Sequence, residues 1–181
     1  VAVDTETSSL DPHQADLIGI SLSSRIGKAC YIPIGHHSKK CISKDVVLKK
    51  LKPLLEDPSI KKIGQNIKFD FIVLFKHGIN ISSMEDTMLM SYVLDAGKNR
   101  HNMDTLSEIH LGHKTITFKD LVGTGKKEIN FSEVDIEKAK DYAAEDADIT
   151  FRLYKKFRKS LKEEKMVNIY EIFEKPMIKI L

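Results

Sequence analysis

The feature that most constrains this chain is Asp4-Thr5-Glu6, which ends the apolar opening Val1-Ala2-Val3. Side chains alternate faces along a strand with period two, so Asp4 and Glu6 project together while Val1, Val3 and Thr5 project the other way. Two acids on one face repel, and each raises the other's pKa unless a cation sits between them. A fold that tolerates them points to a divalent-metal site with Asp4 and Glu6 as its first oxygen ligands. A D-x-E pattern is short, and a solvated strand end carries it equally well. The rest of the chain decides between the two.

With 181 residues, 41% hydrophobic and 30% charged, the chain has material for one globular domain with a sizeable core. No apolar run approaches the ~20 residues of a membrane span, and no signal peptide is visible. Cys30 and Cys41 are the two cysteines and form no C-x-x-C pair, which argues against a disulfide framework or a cysteine-ligated zinc site and leaves a reducing cytoplasm as the expected compartment. The net charge of +3 permits a nucleic-acid partner without requiring one. The chain opens inside a strand without an initiator Met and reads as one domain of something longer.

Strands are expected at Val1–Thr7, Leu17–Leu22 and Ala29–Ile34, joined by Ser/Asp/Pro and Gly turns into an antiparallel meander. Ser43 should cap a helix with Val46, Val47 and Leu51 inward, broken or kinked at Pro53, with Leu54 and Leu55 in a short second piece. Lys61–Gly64 is a short strand leading into a helix capped by Asn66, with Ile67, Phe71, Leu74 and Phe75 as its core face. Asp86 should cap Thr87–Leu94, and Met103–Leu111 should end at Gly112. Gly123-Thr-Gly-Lys-Lys127 has a P-loop's look, but Asp120 stands at the earlier glycine and Lys127 where Ser or Thr belongs. It is read as a mobile loop, not a nucleotide site. A long helix, about Asp135–Leu161, follows. The last amphipathic stretch carries Ile169, Ile172, Phe173, Met177, Ile178 and Leu181, interrupted at Pro176. Strands first and strand–helix alternation afterwards give an α/β fold with a mixed sheet.

Helical spacing pairs Asn66 with Asp70 and Tyr142 with Asp146, each i, i+4. Glu145 is i+3 from Tyr142, so spacing alone does not choose between Glu145 and Asp146, while Asp148 points well away. Taken singly, Asp70 is a helical first-turn acid favoured by the dipole and Tyr142 a core aromatic.

Together these residues carry a resemblance. Asp4-Thr-Glu6, Gly64-Gln-Asn-Ile-Lys-Phe-Asp70 and Tyr142-Ala-Ala-Glu-Asp146 are similar to the three exonuclease motifs of the DEDD superfamily, Tyr subtype. Tyr31-Ile-Pro-Ile, Leu51–Asp57, Asp86-Thr-Met-Leu, Arg100-His-Asn-Met-Asp and His113–Phe118 resemble the proofreading 3′–5′ exonuclease domain of bacterial family A DNA polymerase I. The resemblance covers nearly the whole chain and implies a ribonuclease H-like mixed sheet, an antiparallel meander plus parallel strands, flanked by helices. It selects Asp146 over Glu145, leaving Glu145 and Asp148 as structural or solvated charges.

The implied activity is hydrolysis at single-stranded DNA 3′ ends, releasing nucleoside 5′-monophosphates, with two Mg²⁺ or Mn²⁺ ions and Zn²⁺ allowed in one position. By the resemblance Asp4 bridges both ions, Glu6 and Asp146 complete one site, Asp70 supports the second, and Tyr142 orients the water. Leu10 and Phe131 are implied to pack on terminal bases, and Thr5, Gln65, Asn66 and Arg100 to contact the substrate. The implied division is an exonuclease domain over 1–165 and a helical segment over 166–181 that packs on a polymerase domain of the parent chain, the whole working as a monomer. The competing readings are a ribonuclease D-type exoribonuclease and a non-catalytic nucleic-acid-binding scaffold.

Overall fold

The computed structural model describes residues 1–38 and 40–180. Leu181, placed by its sequence in the terminal apolar stripe, lies outside them.

Strands β1 (Ala2–Thr7), β2 (Leu17–Arg25) and β3 (Lys28–Pro33) form the expected antiparallel meander. Strands β4 (Lys62–Gly64) and β5 (Met84–Asp86) add in parallel on the other side of β1, giving the order β3-β2-β1-β4-β5. The chain thus crosses from one half of the sheet to the other at β1, and ligands collect beyond the carboxyl ends of strands at such a crossing. Asp4 and Glu6 sit at that end of β1.

The two sheet faces are built differently. Val3 and Ile20 join a core with Val47 and Leu55 of helix α1 (Lys44–Glu56) and Ile67, Val73 and Leu74 of helix α2 (Ile67–Lys76). Against β1, β2 and β3 on the other face lies the long helix α6 (Ile136–Glu163), whose Ala139, Ala143 and Ala147 are fully buried at i, i+4, i+8. Small side chains on this stripe let the helix lie close to the sheet. Gly19 serves the same face: a Cβ there would lie 2.1 Å from the Tyr31 hydroxyl. Helices α3 (Thr87–Asp95) and α4 (Met103–Leu111) pack on the far half of α6 through Met90, Leu106, Leu153 and Phe157, and helix α5 (Phe118–Val122) flanks its near half.

Several local expectations are corrected. Helix α1 runs through Pro53 unbroken, because Pro53 and Lys49, whose carbonyl loses its partner, both lie on the exposed side where water replaces the bond. Val46 and Phe75 are exposed, and Val73 takes the inward position instead. Asn66 holds the cap position of α2 but adopts φ 61° and makes no side-chain cap. The Asp86 carboxylate does that work, accepting from Asn66 N and Ile67 N at 3.1 and 3.0 Å while also capping α3 through Met88 N and Leu89 N. The Gly123–Lys127 stretch ends in a 3₁₀ turn.

The terminal stretch is a series of short helical turns from Val167 to Ile178. Tyr170 is fully buried, and its hydroxyl accepts from Asp86 N at 3.0 Å. Lys175 pairs with the buried Glu85 at 2.9 Å. Ile172 and Phe173 remain more than 60% exposed. No helix among the described residues is long and apolar enough to cross a membrane.

Asp86 therefore ties α2 and α3 together through its carboxylate and the terminal stretch through its backbone N–H. Asp86→Ala should lower stability by about 2–4 kcal/mol, two lost helix caps plus unsatisfied buried N–H groups, read as a lower urea midpoint. Asp86→Asn should lose less.

Candidate active site

The β1 strand places Asp4 and Glu6 on its α6 side, and α6 brings Asp146 to meet them. Carboxylate oxygens of the three lie within 4.8 Å of one another. Asp70 arrives from α2 on the opposite side of the sheet. Beyond the single Ala2↔Ile63 pair, β1 has no ladder partner on its β4 edge, so Thr5 N is free to donate elsewhere. It donates to Asp70 Oδ1 at 2.8 Å, and Thr5 Oγ1 donates to the same oxygen at 2.6 Å. Helices α2 and α6 thus both bring an acid to one strand end.

The electrostatics are unfavourable without a cation. Enclosure pushes Asp4 up to about 6. Burial, and then the charges of Asp4, Asp146 and Asp70, push Glu6 well above the carboxylate range. Asp70 and Asp146 rise for the same two reasons, burial and Asp4, although the Thr5 bonds and the Tyr142 hydroxyl oppose the rise. None of the four acids forms an ion pair with a lysine or arginine among the described residues. Glu6 Oε1 is buried with no hydrogen-bond partner. An orphaned carboxylate oxygen inside an all-oxygen, unpaired acid cluster fits a hard divalent ion such as Mg²⁺ or Mn²⁺. Tyr142 lies beside Asp146 on α6. Burial and the neighbouring carboxylates raise its phenol, which stays protonated at neutral pH.

Asp4, Glu6 and Asp146 open into a cavity of about 640 Å³ lined also by Leu10, Phe69, Phe118, Phe131 and Tyr142, while Asp70 is buried beside Thr5 and does not line it. Its apolar wall departs from the sequence reading. Phe131, expected to meet bases, is 2% exposed and packs beneath. Phe118, which was not singled out as a contact, is 42% exposed and stacks on Phe131 with ring centroids 6.2 Å apart and planes 7° from parallel. The signal available was the Thr117-x-x-Asp120 cap that starts a helix at Phe118, but sequence does not say which of two phenylalanines covers the other. Leu10 is 92% exposed at the rim.

Gln65, Asn66 and Arg100 lie outside this lining. The Gln65 amide is engaged with Thr87 Oγ1 at 2.5 Å and the His101 carbonyl at 2.7 Å. Asn66 and Arg100 are exposed. Glu145 faces away from the acid cluster toward His113, Asp148 pairs with Arg152 at 2.6 Å and accepts from Gly27 N, and of the three it is Asp146 whose carboxylate lies beside Asp4 and Glu6.

A five-stranded mixed sheet with this helix arrangement and an acid cluster at the end of its first strand defines a ribonuclease H-like exonuclease. Residues 1–162 match a family described as 3′–5′ exonuclease, and the chain belongs to it. It corresponds to the exonuclease region of bacterial DNA polymerase I. It is 42% identical over 202 residues to DNA polymerase I of Rhizobium leguminosarum and 41% identical over 188 residues to that of Pseudomonas aeruginosa, with all of this chain covered in both. It spans 20% and 21% of those relatives' length. Among solved structures, Brucella melitensis NrnC superposes with a TM-score of 0.70 at 26% identity, covering 91% of this chain and 74% of the other. Escherichia coli RNase D shares the fold at a TM-score of 0.68 and 17% identity, covering 99% of this chain and 44% of the other.

The crowding of acids predicts a pH signature. A carboxyl raised in the folded state binds protons that the unfolded chain has released, so stability from this cluster is fullest below about pH 4 and falls as pH rises through about 6, the value for Asp4. Glu6→Gln should therefore raise the melting temperature of the chelator-treated protein at pH 8 by about 3–6 °C, on the order of 1–2 kcal/mol. The gain should vanish near pH 4, and excess Mg²⁺ should stabilise the native sequence more at pH 8 than at pH 5.

Proposed function

We propose that this chain hydrolyses the terminal phosphodiester at single-stranded DNA 3′ ends with two divalent ions, releasing nucleoside 5′-monophosphates, as the proofreading part of a longer bacterial polymerase. The observation that carries the reading is the convergence of Asp4, Glu6 and Asp146, with Asp70 registered through Thr5, in a cavity that also offers an aromatic wall. Asp4, Glu6 and Asp146 would hold the ions, with Asp70 supporting the second. When bound, such ions acidify water and neutralise charge on the attacking and leaving oxygens.

The chain's own side chains do the rest. Tyr142, kept protonated, is a poor base at neutral pH and serves to orient the attacking water. Phe118 gives the terminal base a stacking face, a mode that accepts any base because every base has a π-face. Phe131 backs Phe118 as a rigid support, and Leu10 closes the rim. A duplex end must yield unpaired nucleotides to reach acids set behind this wall, which favours single strands. Water attack forms one P–O bond and breaks the bond to the penultimate O3′, so the phosphate leaves on the released nucleotide.

The relatives' length and the exposed Ile172 and Phe173 support packing of the 166–181 segment on a polymerase domain. The likeness to NrnC and RNase D supports the second reading, an exoribonuclease with the same site. The identities with DNA polymerase I favour DNA.

Single-stranded DNA labelled at either end separates the readings. With Mg²⁺ or Mn²⁺, a 5′ label should pass into a ladder of shortening products, while a 3′ label should leave at once as mononucleotide. RNA of the same sequence should be cut more slowly. Asp70→Ala or Asp146→Ala should cut the rate about a thousandfold, the several kcal/mol that ion stabilisation supplies. Phe118→Ala should raise KM for single strands about tenfold. Cleavage that survives chelation, or that starts from the 5′ end, would reject the proposal.

A further inference from the structure

Glu145 sits one residue before Asp146 yet takes no part in the acid cluster. Both its oxygens are engaged elsewhere. Oε1 meets His113 Nε2 at 2.8 Å, and Oε2 accepts from Ile116 N at 2.6 Å. Both partners belong to the link between α4 and α5, two to five residues before Phe118. The same link is fastened to α4 on its other side. Ser107 Oγ donates to the His113 carbonyl at 2.8 Å, and Thr115 Oγ1 donates to Asp104 at 2.7 Å. A Thr117–Asp120 capping box then starts α5, which presents Phe118.

The consequence is geometric. Tyr142, Glu145 and Asp146 share one rigid helix, so their mutual positions are fixed. A carboxylate on that helix gripping the 113–116 link transfers the position of the acid cluster to the segment that carries Phe118. The ties to α4 cannot do this, because α4 bears none of the four acids. Phe118 also approaches Tyr142, with ring centroids 6.3 Å apart, so its seat on the α6 side is built from one polar anchor and one aromatic contact.

We propose that Glu145 is a positioning residue for substrate. It sets the distance between the base-stacking face at Phe118 and the hydrolytic acids, and it acts through two hydrogen bonds rather than through its charge. This rests on the assignment of Phe118 as the stacking face.

The test compares Glu145→Ala with Glu145→Gln, measuring KM and kcat on a single-stranded DNA oligonucleotide and the Mn²⁺ concentration for half-maximal rate. Glu145→Ala should raise KM about fivefold and leave kcat and the Mn²⁺ half-saturation within about twofold. Glu145→Gln keeps an acceptor for Ile116 N and a polar group for His113 while removing the charge, and it should restore KM close to the native value. Phe118→Ala combined with Glu145→Ala should be no worse than Phe118→Ala alone, since residues acting through one contact are not additive. If Glu145→Ala fails to fold, His113→Ala removes one of the two bonds at a partly exposed side chain and should show a smaller KM rise of the same kind.

An equal shift of Mn²⁺ half-saturation in both Glu145 variants would overturn the proposal, because the residue would then act by charge on Asp146. Additive effects of Phe118→Ala and Glu145→Ala would overturn it as well. A native KM in Phe118→Ala with metal-dependent cleavage intact would remove the stacking assignment itself. That outcome is distinct from a Phe118 effect without a Glu145 effect, which would reject Glu145 alone.

Discussion

Mutual repulsion among buried carboxylates is the constraint around which the rest of this structure is arranged. Three acids share a volume less than 5 Å across, one of their oxygens has no partner, and no side-chain cation answers them among the described residues. Such a cluster is costly without a cation, so something must hold it together. Here the holding is done by close packing of α6 on the sheet and by the edge of β1. The alanine stripe of α6 keeps the helix close to the sheet, and Gly19 leaves room on the same face for the Tyr31 ring. The unpaired edge of β1 receives Asp70 through Thr5. Stability given up at the site is the expected counterpart of a site preorganised for cations.

A second hub lies one layer away. The Asp86 carboxylate caps two helices at once, and its own N–H is taken by Tyr170 of the terminal stretch. Helix α2 carries Asp70, so the seating of the terminal turns, the start of α2 and one corner of the acid cluster form a continuous hydrogen-bonded path. The buried Glu85, held by Lys175 and Lys61, sits on the same strand. Residues 166–180 are thus divided between a face bound to this domain, with Tyr170 and Ile178 inward, and a face left apolar and exposed.

Much of this was legible in the sequence. Period-two alternation put Asp4 and Glu6 on one side of β1, and the strand-then-helix order yielded the mixed sheet. Helical i, i+4 spacing paired Tyr142 with Asp146, while the choice against Glu145 came from motif resemblance. What stayed hidden was long-range. Asn66 has the composition of a cap, but the cap comes from Asp86, twenty residues on. Pro53 breaks helices on average, yet a solvent-facing carbonyl tolerates it. Phe118 and Phe131 look alike in one dimension, and only packing shows that the first covers the second. Glu145 reads as a spare helical charge because both its partners lie some thirty residues away. Tyr170 stands among Ile169, Ile172 and Phe173 in an amphipathic stretch, where spacing alone does not show that it is the one fully buried.

The central claim is that the four acids form one cation site whose repulsion bound ions relieve. The most direct measurement is calorimetric titration of the protein with Mn²⁺ at pH 6, repeated in two buffers of different ionisation enthalpy. Binding should be accompanied by proton release, because carboxyls raised by burial and by each other must give up protons to bind a cation. Asp4→Asn should reduce both the binding and the released protons. Mn²⁺ binding with no proton release, or binding unchanged in Asp4→Asn, would contradict the account and place the cation somewhere else on the molecule.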